Sequence, residues 1–268
     1  MKPSDCYTIA FVVLVLFIPS SCNYEDKEST FHFSGKVFFV SFAGGTSPVH
    51  LANQAMQKVP NKQFIPGLTQ EFFENDKTIG SAYYDRLSTE LKESKRGFHY
   101  WSWKPFVVLK TMQQVPLNSI IVYLDAGAYL TNDISRLLSY AEKCGRVFFN
   151  NSHDNTGYCK CEPVHAFIPD EAKRKVFFKT RQLDAAFFVL LNTPANQKFV
   201  ETWLQSCLNY SYVSDKKSVC CKESETFLDH RHDQALLTLL RYSNHNGDTL
   251  LPFTEKFRYI NHHRRRSL

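Results

Sequence analysis

Short unbroken apolar runs alternate along this chain with longer stretches in which apolar residues recur three and four positions apart, the pattern of strands alternating with helices. Residues 36–42 (KVFFVSF), 120–124 (IIVYL), 146–149 (RVFF) and 185–191 (AAFFVLL) are the runs. Rich in β-branched and aromatic residues, they predict strands covered on both faces. Residues 64–65 predict a further, very short strand. Helical spacing predicts helices over 47–59, stopping before Pro60, and over 105–114, with Pro105 at the start and Pro116 just past the end. It also predicts helices over 133–143, over 196–208 with Phe199, Val200, Trp203 and Leu204 on one face, and over 233–240, opened by Asp233. Residues 69–96 read as a polar, mostly helical or irregular segment. With no internal repeat, this order predicts an α/β fold: a mostly parallel central sheet flanked by helices.

The first 22 residues read differently. Lys2 precedes an apolar core at 9–18, and Pro19, Ser20, Ser21 and Cys22 resemble a cleavage region, so residues 1–22 are expected to be a signal peptide. The alternative is an uncleaved anchor, although the apolar stretch falls short of the roughly 20 residues that span a bilayer. Residues 23–30 form a polar linker, and 31–268 are expected to make one domain with a single core, given 43% hydrophobic and 15% aromatic residues. Beyond the leader lie Cys144, Cys159, Cys161, Cys207, Cys220 and Cys221. That even set predicts disulfides in an oxidising compartment, with the pairing open. A zinc site from His153, Cys159, Cys161 and His165 is the alternative, and its Cys-x-Cys spacing is tighter than zinc sites use. Asn150-Asn-Ser152 and Asn209-Tyr-Ser211 are N-glycosylation acceptor sequences that agree with a leader. The net charge of +6 is dispersed, which suits an anionic ligand such as a nucleotide diphosphate, and no nucleic-acid-binding motif accompanies it.

The chemistry concentrates between residues 97 and 131. Asp125 follows directly on the apolar run 120–124, at the carboxyl end of a buried strand, where open α/β sheets bind ligands. Gly127, two residues on, permits close approach. Upstream stand Trp101, Trp103 and Lys104. Downstream, His232, Asp233 and Gln234 place three polar groups at a helix start, where anions are favoured.

Taken in order, Tyr100-Trp-Ser-Trp-Lys-Pro105, Tyr123-Leu-Asp-Ala-Gly127, Gln182 to Thr193 with the following Trp203, and Arg231-His-Asp-Gln234 resemble glycosyltransferases of the nucleotide-diphospho-sugar transferase superfamily, the GT-A (Rossmann-like) fold. The resemblance spans residues 36–240. It implies a single glycosyltransferase domain over 31–268 that moves a sugar, most simply a hexose, from a nucleotide-diphosphate donor to a hydroxyl acceptor on a glycan or glycoprotein. The implied compartment is the lumen of the endoplasmic reticulum or Golgi, or the exterior; membrane contact follows only from an uncleaved leader.

The resemblance also implies roles. In this fold an Asp-x-Asp motif holds a manganese or magnesium ion against the donor diphosphate. Here the motif reads Asp125-Ala-Gly127, so the cation would rest on Asp125, donor oxygens and a late histidine, His262 or preferably His263, with Arg264 or Arg266 near the diphosphate. Trp101 or Trp103 would stack on the donor base or acceptor sugar, and Lys104 would neutralise phosphate; the blander reading packs one indole beneath the helix that starts at Pro105. His232, Asp125, Gly127 and Gln234 would line the donor site, with Gln234 hydrogen-bonded to the sugar. Asp233 would orient sugar hydroxyls or act as the base, against a reading as a helix cap alone, and Asp184 is the rival base. Two other classes remain open. One is a carbohydrate-binding protein of the same fold with little turnover, suggested by the Asp-Ala-Gly departure. The other is a glycoside hydrolase using Asp125 and Asp233 as its carboxylate pair.

Overall fold

The computed structural model describes residues 33, 35–44, 53, 63–244 and 248–262. Its strands are β1 (Val37–Phe42), β2 (Leu68–Glu74), β3 (Ile120–Leu124), β4 (Ala128–Leu130), β5 (Arg146–Asp154), β6 (Arg181–Leu183), β7 (Phe187–Leu191), β8 (Thr249–Leu251) and β9 (Ile260–His262). The helices that frame the sheet and the site are α1 (Trp103–Gln114), α2 (Ser135–Cys144), α3 (Pro194–Leu208) and α4 (His232–Ser243). A 7-stranded sheet has the order β2-β1-β3-β7-β5-β6, with β8 paired to β5. Strands β1, β2 and β3 are mutually parallel, and β8 is parallel to β5. Strand β7 runs antiparallel between β3 and β5, and β6 is antiparallel to β5. β4 and β9 form a separate antiparallel ribbon. The predicted α/β class with a mostly parallel, helix-flanked sheet is the one observed.

Alternation along the strands divides the interior in two. Phe38, Val40, Ile121, Tyr123, Phe188 and Leu190 face a core completed by α1, α3 and α4, through residues such as Val108, Val200 and Leu236. Val37, Phe39, Ile120, Val122, Phe187 and Val189 face the other, closed by Leu137, Leu138 and Ala141 of α2. Both faces of β1 and β3 are therefore covered, which is why their sequences are continuously apolar. Asn192 ties the layers together: its Nδ2 donates to the carbonyls of Met112 (2.9 Å), Val115 (3.2 Å) and Pro116 (3.0 Å), satisfying the end of α1. Thr193 then caps α3 by accepting from the amide of Asn196.

Some expectations shift. No strand forms at residues 64–65; Ile65 is a buried member of the second core, and the strand is β2, inside the stretch read as helical or irregular. β2 pairs on one side only, with β1, so its outer residues are polar and its sequence lacks an apolar run. β7 begins at Phe187, leaving Ala185 and Ala186 as the link from β6. The leader 1–22, the linker 23–30, nearly all of the helix expected over 47–59, and His263, Arg264 and Arg266 lie outside the described residues. Among the described residues no helix is long and apolar enough to cross a membrane.

Cys161 is bridged to Cys221 across 60 residues, which removes it from the alternative zinc set, while Cys159 and Cys207 are buried thiols. Of the two acceptor sequences, Asn150 pairs with Leu183 inside the sheet, and the Asn209 side chain accepts from the amide of Ser211 at 3.0 Å.

Candidate functional site

Four chain segments deliver charged side chains to one edge of the sheet. β3 ends at Leu124 and hands on Asp125, whose amide donates to the carbonyl of Ala186 at 2.8 Å. Because β7 is antiparallel to β3, its first residue pairs with Leu124, and Asp184 just before it reaches the same edge. α1 leads back into β3, so its start brings Lys104 there. α4 begins at the same place and supplies Asp233, fixed where the Trp203 indole N–H donates to the Asp233 carbonyl at 2.9 Å. The cavity they share is about 750 Å³ and is also lined by Trp101, Asn151, Arg231, His232, Gln234 and Lys256.

Lys104 is the hub of this edge. It is buried, at 3% exposure. Its Nζ donates to the carbonyl of Ala185 at 3.0 Å and stands 3.1 Å from Asp125 Oδ1 and 3.3 Å from Asp233 Oδ2. An ammonium has three N–H groups, and three acceptors surround this one. Burial alone would disfavour the charge on Lys104, but the two carboxylates overcome it and hold its pKa above the ordinary lysine value. The expected role of Lys104 as a phosphate ligand therefore changes: its charge is paired with two carboxylates of the protein.

The three carboxylates differ. Asp125 is the most open, its side chain 35% exposed. The Tyr123 hydroxyl donates to its Oδ1 at 2.6 Å, and among the described residues nothing engages Oδ2. Asp233 is 4% exposed, and burial pushes its carboxyl up to about 6, with Lys104 opposing and Asp125 adding to the rise. Asp184 is engaged at both oxygens: Oδ1 accepts from the Ala186 amide at 2.8 Å, and Oδ2 takes the Asn151 amide at 3.3 Å and a close ion pair with Lys256. Asn151 also donates to Gln234 Oε1 at 3.4 Å, and Gln234 donates to Gln182 Oε1 at 2.6 Å, so Gln234 meets the cavity as a member of a buried amide network.

One aromatic wall closes the cavity. Residues Gly97, Phe98, His99, Tyr100 and Trp101 all have positive φ, between 52° and 65°, a left-handed turn that costs non-glycine residues roughly 1–2 kcal/mol each. The turn is braced where the Tyr83 hydroxyl meets His99 Nδ1 (3.2 Å) and Ser102 Oγ (2.8 Å), and where the Trp103 indole donates to the Gly97 carbonyl (3.0 Å). It sets the Trp101 ring on the cavity wall, stacked on His232 at 5.3 Å and 22°. His232, itself at φ 48°, donates from Nδ1 to the Val213 carbonyl at 2.7 Å, and burial lowers its pKa.

Trp103 does not reach the cavity: its ring stacks on Phe42 at 4.1 Å in the core, the blander of the two readings. Gly127 sits beyond the described lining at the turn into β4, its φ outside the left-handed region. A Cβ there would meet Asn53 Oδ1 at an ordinary 3.7 Å, so neither backbone nor neighbours demand glycine. Of the expected metal ligands, Asp125 and His262 are described and both line the cavity, while His263 lies outside the described residues. The described donor set does not fit a protein-held divalent cation. Asp125 offers one uncommitted oxygen beside the Lys104 ammonium, and among the described residues no three His, Cys, Asp or Glu side chains are grouped to hold a metal. Sequence reasoning missed Lys256, in the short helix Phe253–Lys256, and Asn151, within β5. Neither carries a local signal. Both reach the site only through the packing of distant segments.

No family model matches the chain, and no curated protein sequence does. Among solved structures it is similar to the crystal structure of mouse xyloside xylosyltransferase 1 in its apo form. The two are 10% identical over 81% of this chain and 85% of that one, with a TM-score of 0.43.

Proposed function

We propose that the chain is a glycosyltransferase that moves a sugar from a nucleotide-diphosphate donor to a hydroxyl acceptor on a glycan or glycoprotein. The observation that carries this reading is the convergence of Asp125, Asp184 and Asp233 with Lys104 and Lys256 on a cavity of about 750 Å³ walled on one side by Trp101 and His232. A space of that size suits a ligand as large as a nucleotide sugar. Carboxylates accept from sugar hydroxyls, and an aromatic face packs against a sugar ring or base.

In glycosyl transfer, positive charge develops at the anomeric carbon while the departing diphosphate gains negative charge. Asp233 is the base in this reading. Its carboxyl, pushed up to about 6, is ionised at neutral pH yet basic enough to take a proton from an acceptor hydroxyl. Asp184, held at both oxygens by Ala186, Asn151 and Lys256, keeps the wall in place rather than moving a proton. Lys104 fixes the Asp125 and Asp233 carboxylates relative to each other, leaving Asp125 Oδ2 for a donor hydroxyl. No step is assigned to a divalent cation, because among the described residues no three metal-ligating side chains are grouped around Asp125. The secretory pathway is the proposed compartment, supported by the Cys161–Cys221 bridge and the apolar leader sequence.

A sugar-binding protein without turnover is the second reading, favoured by the pairing of Lys104 with carboxylates of the protein itself. Incubating the purified chain with nucleotide sugars separates the two readings: release of nucleoside diphosphate supports transfer, and saturable binding with no release supports recognition alone.

A further inference from the structure

Four cationic side chains line the cavity, and three have carboxylate partners: Lys104 with Asp125 and Asp233, Lys256 with Asp184, and Arg96 with Asp215 (2.8 Å) and Asp229 (3.0 Å). Arg231 is the exception. Its backbone carbonyl accepts from Gln234 and Ala235 at the start of α4, but among the described residues no hydrogen bond or ion pair engages its guanidinium. A half-buried guanidinium on a cavity wall has lost part of its hydration without protein compensation, and its planar fork of donors matches phosphate oxygens two at a time. Carboxylates and cations on this wall are equal in number, so the cavity as a whole does not draw anions in. Attraction for an anion has to be local.

We infer that Arg231 takes the phosphate oxygens of the donor's diphosphate. The assignment rests on the nucleotide-sugar reading and adds the anion ligand that reading lacks once Lys104 and Lys256 are committed elsewhere. It puts the leaving group and Asp233 in the same cavity, so that the developing negative charge meets Arg231 while Asp233 serves the acceptor side. A guanidinium without protein partners is free to pair with the leaving group as its charge grows.

Binding of uridine, guanosine, adenosine and cytidine diphosphates, of the matching nucleosides and of inorganic pyrophosphate is measured by calorimetry on the full chain and on Arg231→Gln and Arg231→Lys. The melting temperature of each variant is checked against wild type. The expected result is that at least one nucleoside diphosphate and pyrophosphate bind. Arg231→Gln should weaken both by about 10- to 100-fold, as loss of a charged hydrogen-bonding partner does. Arg231→Lys should recover part of the loss, and nucleoside affinity should not change. Equal diphosphate affinity in wild type and Arg231→Gln overturns the assignment and leaves the nucleotide reading standing. If pyrophosphate responds to Arg231→Gln while no nucleoside diphosphate binds, the anion assignment holds and the nucleotide-sugar reading falls. If nothing binds to the folded wild type, both are overturned.

Discussion

The ammonium of Lys104 lies 3.3 Å from Oδ2 of Asp233, joining the start of α1 to the start of α4 across the carboxyl edge of the sheet. Both groups are buried, and Asp125 shares the same ammonium. Removing one member of such a set strands the others in a poorly solvated place. Lys104→Met is therefore expected to destabilise the fold by about 3–5 kcal/mol. Adding Asp233→Asn to Lys104→Met should restore part of that loss, read by thermal or denaturant unfolding. A double variant as unstable as the sum of the two single ones would show the contacts to be independent.

The raised carboxyl of Asp233 has a signed consequence for stability. Its pKa moves from an ordinary 3.8 to about 6 in the folded state. Between those values the native chain keeps a proton that the unfolded chain has released, so this group's contribution falls as pH rises through that window and is level above it. The effect is at most about 3 kcal/mol and is absent in Asp233→Asn. Urea titrations across the window, wild type against variant, measure the difference. The same ionisation should give the transfer rate an acid limb near pH 6, the base being active only when deprotonated.

Gly97 opens the left-handed turn that carries Trp101. A Cβ there would fall 2.3–2.5 Å from the indole, at a φ of 56° that alanine adopts only with strain. Gly97→Ala is expected to cost about 1–3 kcal/mol and to displace Trp101 from His232, with weaker ligand binding as the second readout. If Gly97→Ala melts like wild type and binds as well, the turn is not what holds Trp101 in place.

Manganese is expected to add little. With the Lys104 ammonium between Asp125 and Asp233, stripping divalent cations with a chelator should leave nucleoside diphosphate affinity unchanged. A large loss on chelation, restored by manganese, would show that ligands beyond the described residues complete a cation site.

The strands covered on both faces were legible because burial on two sides leaves a continuous apolar run: β1, β3 and β7 each carry one. β2 was misplaced because an edge strand shows water a polar side. Asp125, Lys104, Asp233, Asp184, Trp101, His232 and Gln234 could be singled out because strand ends and helix starts are readable punctuation, and all of them meet at one cavity. Their partnerships were not readable. That Lys104 serves two carboxylates and Lys256 a third depends on crossings of segments far apart in sequence, and the left-handed turn at 97–101 has only Gly97 as a local sign.

The central claim, that buried carboxylates at this sheet edge transfer a sugar from a nucleotide donor, is tested most directly by following nucleoside diphosphate release from a panel of nucleotide sugars by the purified full chain. The account predicts release with at least one donor, faster with an acceptor hydroxyl present, and reduced about 100-fold or more in a folded Asp233→Asn. No release from any donor by the folded wild type, or equal rates in wild type and variant, would contradict it.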